Sequence, residues 1–429
     1  MDDPKGLRLI FRALYSRNYR LFFGGQGVSL SGTWMQQIAM SWLVYRLTNS
    51  AFLLGLIGFS SQIASLFFSP FAGVLSDRWN RRHILVATQS LAMIQAFILA
   101  FLTLTGVIAV PHLIILSVFL GLVNAFDMPT RQAFVVEMVE KREDLGNAIA
   151  LNSFLFNGAR LLGPSVAGIL ISILGEGMCF LLNGFSFLAV ILALLAMKIS
   201  PNKKDSQNPR VWPELKEGFS YAFGFPPIRS ILLFIGWISF VGMANTTLMP
   251  VFAGDILHGD AMTYGFLMAA IGVGAIIAAI FLASRKSVLG LGRVIVIGSG
   301  IFGIGLILFS LSHILWLSFC LLLLAGFGMM VHMASSNTIL QTIVDDDKRG
   351  RVMSLYAMAF MGMAPLGSLV GGSLAGWMGA PAALILVGTS CMVGSFLFRK
   401  ILPTLRMMIR PIYVRKGILS EKSEIQVKS

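Results

Sequence analysis

Three polar side chains stand in line inside an otherwise apolar run. Ser153, Asn157 and Arg160 fall at i, i+4 and i+7 and share one face of a helix. A guanidinium in such a run either contacts an anionic ligand in a wet cavity or pairs with a buried acceptor and gates the structure. Other polar groups interrupt other apolar runs. Gln26, Trp34, Gln36 and Gln37 lie in one, Asn124 and Asp127 in a second, Asn245 with Thr246 and Thr247 in a third, and His332 with Ser335, Ser336 and Asn337 in a fourth. Gln37, Asn124, Asn245 and Asn337 suit contact with a small ligand, and suit hydrogen bonds between helices equally well. Asp127 is the first candidate to carry a proton and Asp255 the second, because proton coupling uses a carboxylate that meets both sides of a membrane. His332 adds an imidazole that titrates near neutral pH, or it is simply hydrogen-bonded.

Composition says what surrounds these groups. The chain has 429 residues, is 56% hydrophobic and only 12% charged, with a mean hydropathy of +0.81. A soluble domain carries about 25% charge, so this is a polytopic membrane protein. A bilayer core takes roughly 20 apolar residues per helix. On that ruler twelve spans are expected, near 20–45, 52–75, 84–106, 111–128, 146–173, 178–198, 230–255, 262–283, 293–312, 314–338, 352–376 and 381–399. The organisation that follows is a tail over 1–19, a six-helix bundle over 20–198, a polar link over 199–229, a second six-helix bundle over 230–400 and a tail over 401–429. Trp212, Leu215, Phe219 and Ala222 recur at helical spacing and predict a helix on the membrane surface within the link. Thr130–Lys141 predicts a separate amphipathic helix, and the segment after Pro411 a polar tail.

Basic residues set the sides. Lys5, Arg8, Arg12, Arg17 and Arg20 precede or open the first span, with no small-residue cleavage site, and predict an uncleaved cytoplasmic tail. With both termini inside, nearly all of the 33 Lys and Arg fall in cytoplasmic segments; Arg46 lies outside and Arg160 within a span. The net charge of +14 is then directed at anionic lipid headgroups, and nucleic acid binding is not needed to explain it. The halves also resemble each other. Gly121–Val139 aligns with Gly326–Val344, and Gly32 and Gly55 with Gly242 and Gly265. A duplicated six-helix unit is a common build of secondary transporters, with substrate bound between the repeats near the midplane.

The link after the second span reads GVLSDRWNRRH, charge packed between two apolar runs. Gly73-x-Leu75-x-Asp77-Arg78-x-x-Arg81-Arg82 resembles the loop between helices 2 and 3 of the major facilitator superfamily, with Asn80 where many members have Gly. The resemblance implies a conformational latch. Asp77 would meet the positive end of helix 11 near Arg351–Val352, and Arg81 would pair with an acid at the cytoplasmic end of helix 4, where Asp127 is on offer. Gly73 would let helix 2 approach a neighbour closely. The runs at 16–51, 124–139 and 157–170 resemble the branch that includes the enterobactin exporter, which implies efflux. Gly158, Gly163, Pro164 and Gly168 resemble the helix 5 motif associated with antiporters; the same residues also serve close packing and a bend. The superfamily lines its cavity with helices 1, 4, 7 and 10, where the polar residues above collect.

Other classes find no support in the residues. There is no G-x-x-x-x-G-K-[ST] phosphate loop, and Gly272 with Gly274 and Gly326 with Gly328 fall inside spans as packing residues. No Ser/His, paired-Asp or metal cluster suits an intramembrane enzyme. Cys179, Cys320 and Cys391 lie far apart without metal or redox spacing. No cofactor and no metal are expected. The fold class expected is all-α integral membrane, with twelve transmembrane helices in two pseudo-symmetric bundles. The function expected is a monomeric secondary exporter of a small organic compound from the cytoplasm across a bacterial inner membrane, by proton antiport. A uniporter or a lipid or metabolite carrier without proton coupling is the alternative.

Overall fold

The computed structural model describes residues 11–198, 211–285 and 287–419; the side chains of 70, 71, 73–78, 142 and 211–215 lie outside the description. The described chain is helical almost throughout. In hydrocarbon a backbone must satisfy its own hydrogen bonds, and a helix does so within one segment. The helices are α1 (Arg17–Thr48), α2 (Ala51–Arg78), α3 (Arg81–Leu104), α4 (Val110–Met138), α5 (Leu145–Leu174), α6 (Glu176–Ala196), α7 (Val211–Gly224), α8 (Pro226–Val251), α9 (Ala261–Ala283), α10 (Leu291–Ser310), α11 (Leu315–Ile343), α12 (Arg349–Met378) and α13 (Ala380–Arg415). Short 3₁₀ turns at Arg12–Tyr15 and Arg142–Asp144 precede α1 and α5, and α8 runs into a π turn at Phe252–Ile256. Among the described residues eleven helices are long and apolar enough to cross a membrane. The expected first span, α1, has the length, at 32 residues, but its glutamines, serines and arginines keep it below that apolarity.

The chain divides into two compact units. One takes the residues through Pro209 together with Thr247–Ala269; the other takes Arg210–Thr246 together with Ala270 onwards. In the first, α1 packs on α5 and α6, α2 on α4, and α3 on α4 and α6. In the second, α10 lies against α11 and α13, and α12 against α13 and α7.

Helices in lipid associate through close packing and interhelical hydrogen bonds, and each unit shows one of these clearly. In the first, Gln36 donates to Gln95 Oε1 (3.0 Å), Asn183 donates to Gln36 Oε1 (2.8 Å), and Ser186 donates to Asn183 Oδ1 (2.9 Å). This chain of buried amides ties α1, α3 and α6 together. Gly32 makes room for it, since a Cβ there would stand 2.4 Å from Asn183 Oδ1. In the second unit, backbones approach directly. A Cβ on Gly274 would meet the Leu323 carbonyl at 2.0 Å, and one on Gly326 the Ile271 carbonyl at 2.2 Å.

Two helices outrun their expected ends. The sequence ends span 4 at Met128, before Pro129, but α4 continues through Pro129 to Met138. Pro removes one backbone donor, and burial outweighs that loss: Phe134, Val135 and Met138 sit in one cluster with Tyr19, Phe22 and Leu85. The Ser16 hydroxyl then donates to the Met138 carbonyl at 2.7 Å. The separate helix expected over Thr130–Lys141 is the end of α4. Likewise α13 passes Pro403 and Pro411 and ends at Arg415.

The link contains a helix where one is expected, α7; the side chains of Trp212 and Leu215 lie outside the described residues. Ala222 is buried while Phe219 is exposed, its ring stacked on Phe223. Gly218 faces the Arg351 side chain of α12, Glu217 pairs with Lys348 and with Arg351 (2.8 Å), and the Tyr221 hydroxyl donates to Asp345 Oδ2 at 3.0 Å. The hydrogen bond from Lys348 holds the Glu217 carboxyl below its ordinary value, and the same bond raises Lys348.

Two predictions follow from this packing. Gly326→Val forces the α9 backbone away and costs about 1–3 kcal/mol, read as a lower unfolding temperature of the purified protein; an unchanged temperature contradicts the close approach. The Glu217–Lys348 link has a broad pH window. A depressed carboxyl contributes above its unfolded value and is lost as pH falls through the folded one, whereas a raised amine is lost only as pH rises through its own. Amide exchange of α7 should therefore be flat from about pH 5 to pH 9 and speed up toward pH 3, relative to Glu217→Gln.

Candidate functional site

Arg160 lies on α5, a helix apolar enough to span the membrane, and its side chain is exposed. Its guanidinium stands 6.0 Å from the centre of the Trp34 ring, a cation over an aromatic face. Trp34 is itself fixed by an edge contact to Phe156 (5.9 Å) and by Gly163, where a Cβ would stand 2.5 Å from Trp34 Cβ. Among the described residues no carboxylate pairs with Arg160. Asn157 and Ser153, the rest of the polar stripe, are exposed as well; Asn157 donates to the Ser153 carbonyl at 2.8 Å. On α1, Gln37 is exposed one turn beyond Trp34. A cation on a helix apolar enough to span the membrane is costly against lipid, and exposed amides stand beside it on α5 and on α1.

Asp127 is built differently. It is 2% exposed, and its Oδ1 accepts hydrogen bonds from Thr88 (3.0 Å) and Gln89 (2.7 Å) while Arg131 pairs with Oδ2. Arg81 does not reach it. Arg81 Nη1 meets Glu137 Oε1 at 2.7 Å instead. The reason is the length of α4: ten residues, about 15 Å of helix, separate Asp127 from Glu137, and Glu137 is the acid at the end that Arg81 occupies. Arg82 donates to the Leu195 carbonyl at 2.7 Å, and Asn80 caps α3 by accepting from the Arg82 and His83 amides. That cap is the physical sense of Asn where the resemblance expects Gly. Gly73, Asp77 and Arg78 are in α2, and their side chains lie outside the described residues.

Within the first unit, no hydrogen bond or ion pair among the described residues joins Arg160 to Asn124, Asp127 or Asp255. Asn124 is exposed on α4. Asn245 is buried at 3% exposure, with no donor to its Oδ1 among the described residues. Asn337 is half-buried, and its Oδ1 accepts from Gln341. His332 is fully buried, edge-on to Phe234 at 4.8 Å, and neither ring nitrogen makes a hydrogen bond of normal geometry. Asp255 lies in the π turn after α8 and accepts a hydrogen bond of 2.5 Å from the Tyr45 hydroxyl. A Cβ on Gly254 would collide with that hydroxyl. In the same unit the α5 motif packs on α9: a Cβ on Gly168 would stand 2.7 Å from the Ala261 carbonyl, and one on Gly265 2.5 Å from the Pro164 carbonyl. Gly158 meets nothing within 4 Å.

Sequence reasoning missed three parts of this arrangement. Glu137, Tyr45 and the Gln95–Asn183 pair were not singled out. Glu137 lay beyond the assumed end of span 4. Tyr45 lies beside a span end, where nothing in the sequence announces a partner more than two hundred residues away. Gln95 and Asn183 carried a signal, as amides in the third and sixth apolar runs. Asp127→Asn leaves Arg131 without its counter-charge and should cost about 3 kcal/mol, seen as a lower unfolding temperature; Asn124→Ala, on the exposed face of the same helix, should leave that temperature unchanged.

Comparisons with known proteins agree on the kind of molecule. A family model described as transmembrane secretion effector matches residues 11–409. The staphyloferrin A transporter of Staphylococcus aureus is 27% identical, over 89% of this chain and 96% of its own. Macrolide efflux protein A of Streptococcus pyogenes is 21% identical over 87% and 94%, and the multidrug efflux pump Tap of Mycolicibacterium fortuitum 20% identical over 83% and 88%. Among solved structures, the nucleoside transporter NupG superposes with a TM-score of 0.68 at 15% identity, covering 90% of this chain and 98% of that one. A bacterial homologue of the lysosomal transporter Spinster superposes at 0.66 and 15%, covering 93% and 98%. These last two show the fold alone.

Proposed function

The chain belongs to the transmembrane secretion effector family of major facilitator transporters, and from that premise we propose that it exports a small anionic organic compound by alternating access. It is a transporter rather than an enzyme, with efflux-type relatives. The reading takes α1 as a twelfth span, two pseudo-symmetric bundles of six spans, both termini in the cytoplasm and a bacterial inner membrane, as the distribution of basic residues supports. The observation that carries the substrate class is Arg160: a guanidinium on a spanning helix, exposed, set over Trp34 and without a carboxylate partner among the described residues. A cation in that state lowers its own cost by meeting an anion. Siderophore-like carboxylates and catecholates fit that chemistry, and the staphyloferrin A transporter among the relatives supports it. Gln37 and Asn157 supply amides on the same exposed faces. Asn124 is a further candidate contact in the first unit; Asn245, which has a buried acceptor to offer, and Asn337 are candidate ligand contacts of the second.

For the driving force we propose proton antiport with Asp127 as the proton-binding group. Its protonation removes the counter-charge of Arg131, and a buried charge that loses its partner must move or be re-paired. That links one proton to a change in how α3 and α4 meet. Asp255 and His332 are the second candidates. Arg81 with Glu137, and Asp77 by resemblance, form the latch. One observation favours the reading without proton coupling: both carboxylate oxygens of Asp127 already have donors, Thr88 and Gln89 on Oδ1 and Arg131 on Oδ2.

Proteoliposomes loaded with a carboxylate or catecholate siderophore test both parts. Under an imposed pH gradient the wild type should accelerate efflux, and Asp127→Asn should run at the rate seen without a gradient. Arg160→Gln should weaken the apparent affinity for the anion by about 10- to 100-fold, the worth of a charge-assisted hydrogen bond, with Arg160→Lys in between. Wild-type efflux that ignores the gradient leaves the uncoupled carrier as the account.

A further inference from the structure

The second unit holds a cavity of about 380 Å³ lined by none of the residues proposed above for substrate or proton. It lies where α10 begins and the last turns of α13 pass. Its apolar wall includes Ile231, Leu291, Phe398, Leu402, Leu405 and Ile409, and Arg293, Arg406 and Arg410 line it as well. Arg293 and Arg406 are exposed, and among the described residues neither forms an ion pair with a carboxylate. Both line the same cavity. Two unneutralised cations are thus held together over an oily groove.

The depth of the groove in a bilayer follows from helix length. A helix of 36 residues, as α13 is, runs about 54 Å, and the hydrocarbon core is about 30 Å thick. The end of α13 beyond Lys400 therefore lies at headgroup level or past it. Arg406 and Arg410 stand on that end. Leu402 and Leu405 turn back under them, with Phe398 deeper and stacked on Phe234 at 4.7 Å. Exposed Ile401 and Met407 continue the apolar surface outside. Gly292 lets α10 close on α13, since a Cβ there would stand 2.6 Å from Leu402 Cδ1.

We propose that this groove binds an anionic phospholipid, with the phosphate on Arg293 and Arg406 and an acyl chain along Leu402, Leu405 and Phe398. Charge complementarity selects the anionic headgroup over a zwitterionic one, and the apolar wall selects a lipid over free phosphate. The lipid bridges the start of α10 to the end of α13 and relieves the repulsion between two arginines. The site is independent of Arg160 and of the substrate.

The test uses full-length protein in neutral detergent, with bound lipid counted by native mass spectrometry. Dioleoyl phosphatidylglycerol should be retained and dioleoyl phosphatidylcholine should not. Each arginine is worth about fivefold, so Arg293→Gln with Arg406→Gln should lower retention about 25-fold. Lys400→Gln removes one positive charge from α13 outside the groove, over the Phe396 ring, and should change retention less than twofold, against about fivefold for Arg406→Gln alone. The double lysine variant keeps the charge and guards against a folding defect: it should retain most of the lipid. Equal binding of the two lipids overturns the proposal, and so does full retention in the double glutamine variant. Displacement of phosphatidylglycerol by inorganic phosphate or by deacylated glycerophosphoglycerol at similar concentrations also overturns it, by showing an anion site rather than a lipid site.

Discussion

A charge placed in hydrocarbon must be compensated, and the structure separates the chain's charges by how that is done. Asp127 and Arg131 compensate each other inside α4, with Thr88 and Gln89 completing the shell. Glu176 and Arg46 do so at the facing ends of α6 and α1, through a two-point contact of 2.8 and 3.1 Å, each beside the helix pole that favours it. Among the described residues Arg160 has only the face of Trp34. Cation–π attraction is worth about 0.5–2 kcal/mol, and an arginine at the centre of a membrane span costs at least about 2.5 kcal/mol. The difference is what water or an anion must supply. That shortfall is the ground for proposing Arg160 as a ligand-binding residue, whereas Asp127 and Arg131 already hold each other.

Close packing then decides where the uncompensated group can stand. Gly163 brings Trp34 against α5, and Gly168 with Gly265 brings α9 against the same helix. The motif that the sequence offers either as an antiporter device or as packing has its packing role in plain view. The two are compatible: glycine contacts at Gly163 and Gly168 pin α5 against α1 and α9 one turn and two turns beyond Arg160. The Tyr45–Asp255 hydrogen bond adds a polar contact between α1 and the π turn after α8. π turns interrupt regular helices, frequently at functional sites, and this one sets a carboxylate beside a tyrosine.

How much of this was legible in the sequence follows from the range of each signal. Apolar runs fix helices locally, so the helices after the first were visible with their approximate ends. Where an end depends on tertiary burial, as at Pro129 in α4 and Pro403 and Pro411 in α13, local rules stopped too early, and the acid Glu137 was lost with them. Arg160 stood out because one charge in an apolar run is a local anomaly. Its partner Trp34, on a different helix, was visible as a residue and not as a contact. Arg81 was read correctly as a pairing residue and given the wrong acid, because the choice between Asp127 and Glu137 turns on 15 Å of helix that a sequence does not measure. The division at Thr247 and Ala269, which puts the end of α8 and the start of α9 with the first unit, has no sequence mark at all.

The central claim is that Arg160 recognises negative charge, and equilibrium binding tests it most directly. The dissociation constant would be measured for a carboxylate siderophore and for its uncharged methyl ester, with wild type and with Arg160→Gln. The account predicts that wild type favours the acid over the ester by about tenfold or more, and that the variant binds both alike. If the variant keeps the wild-type preference, the guanidinium does not read the charge, and Arg160 serves the structure alone.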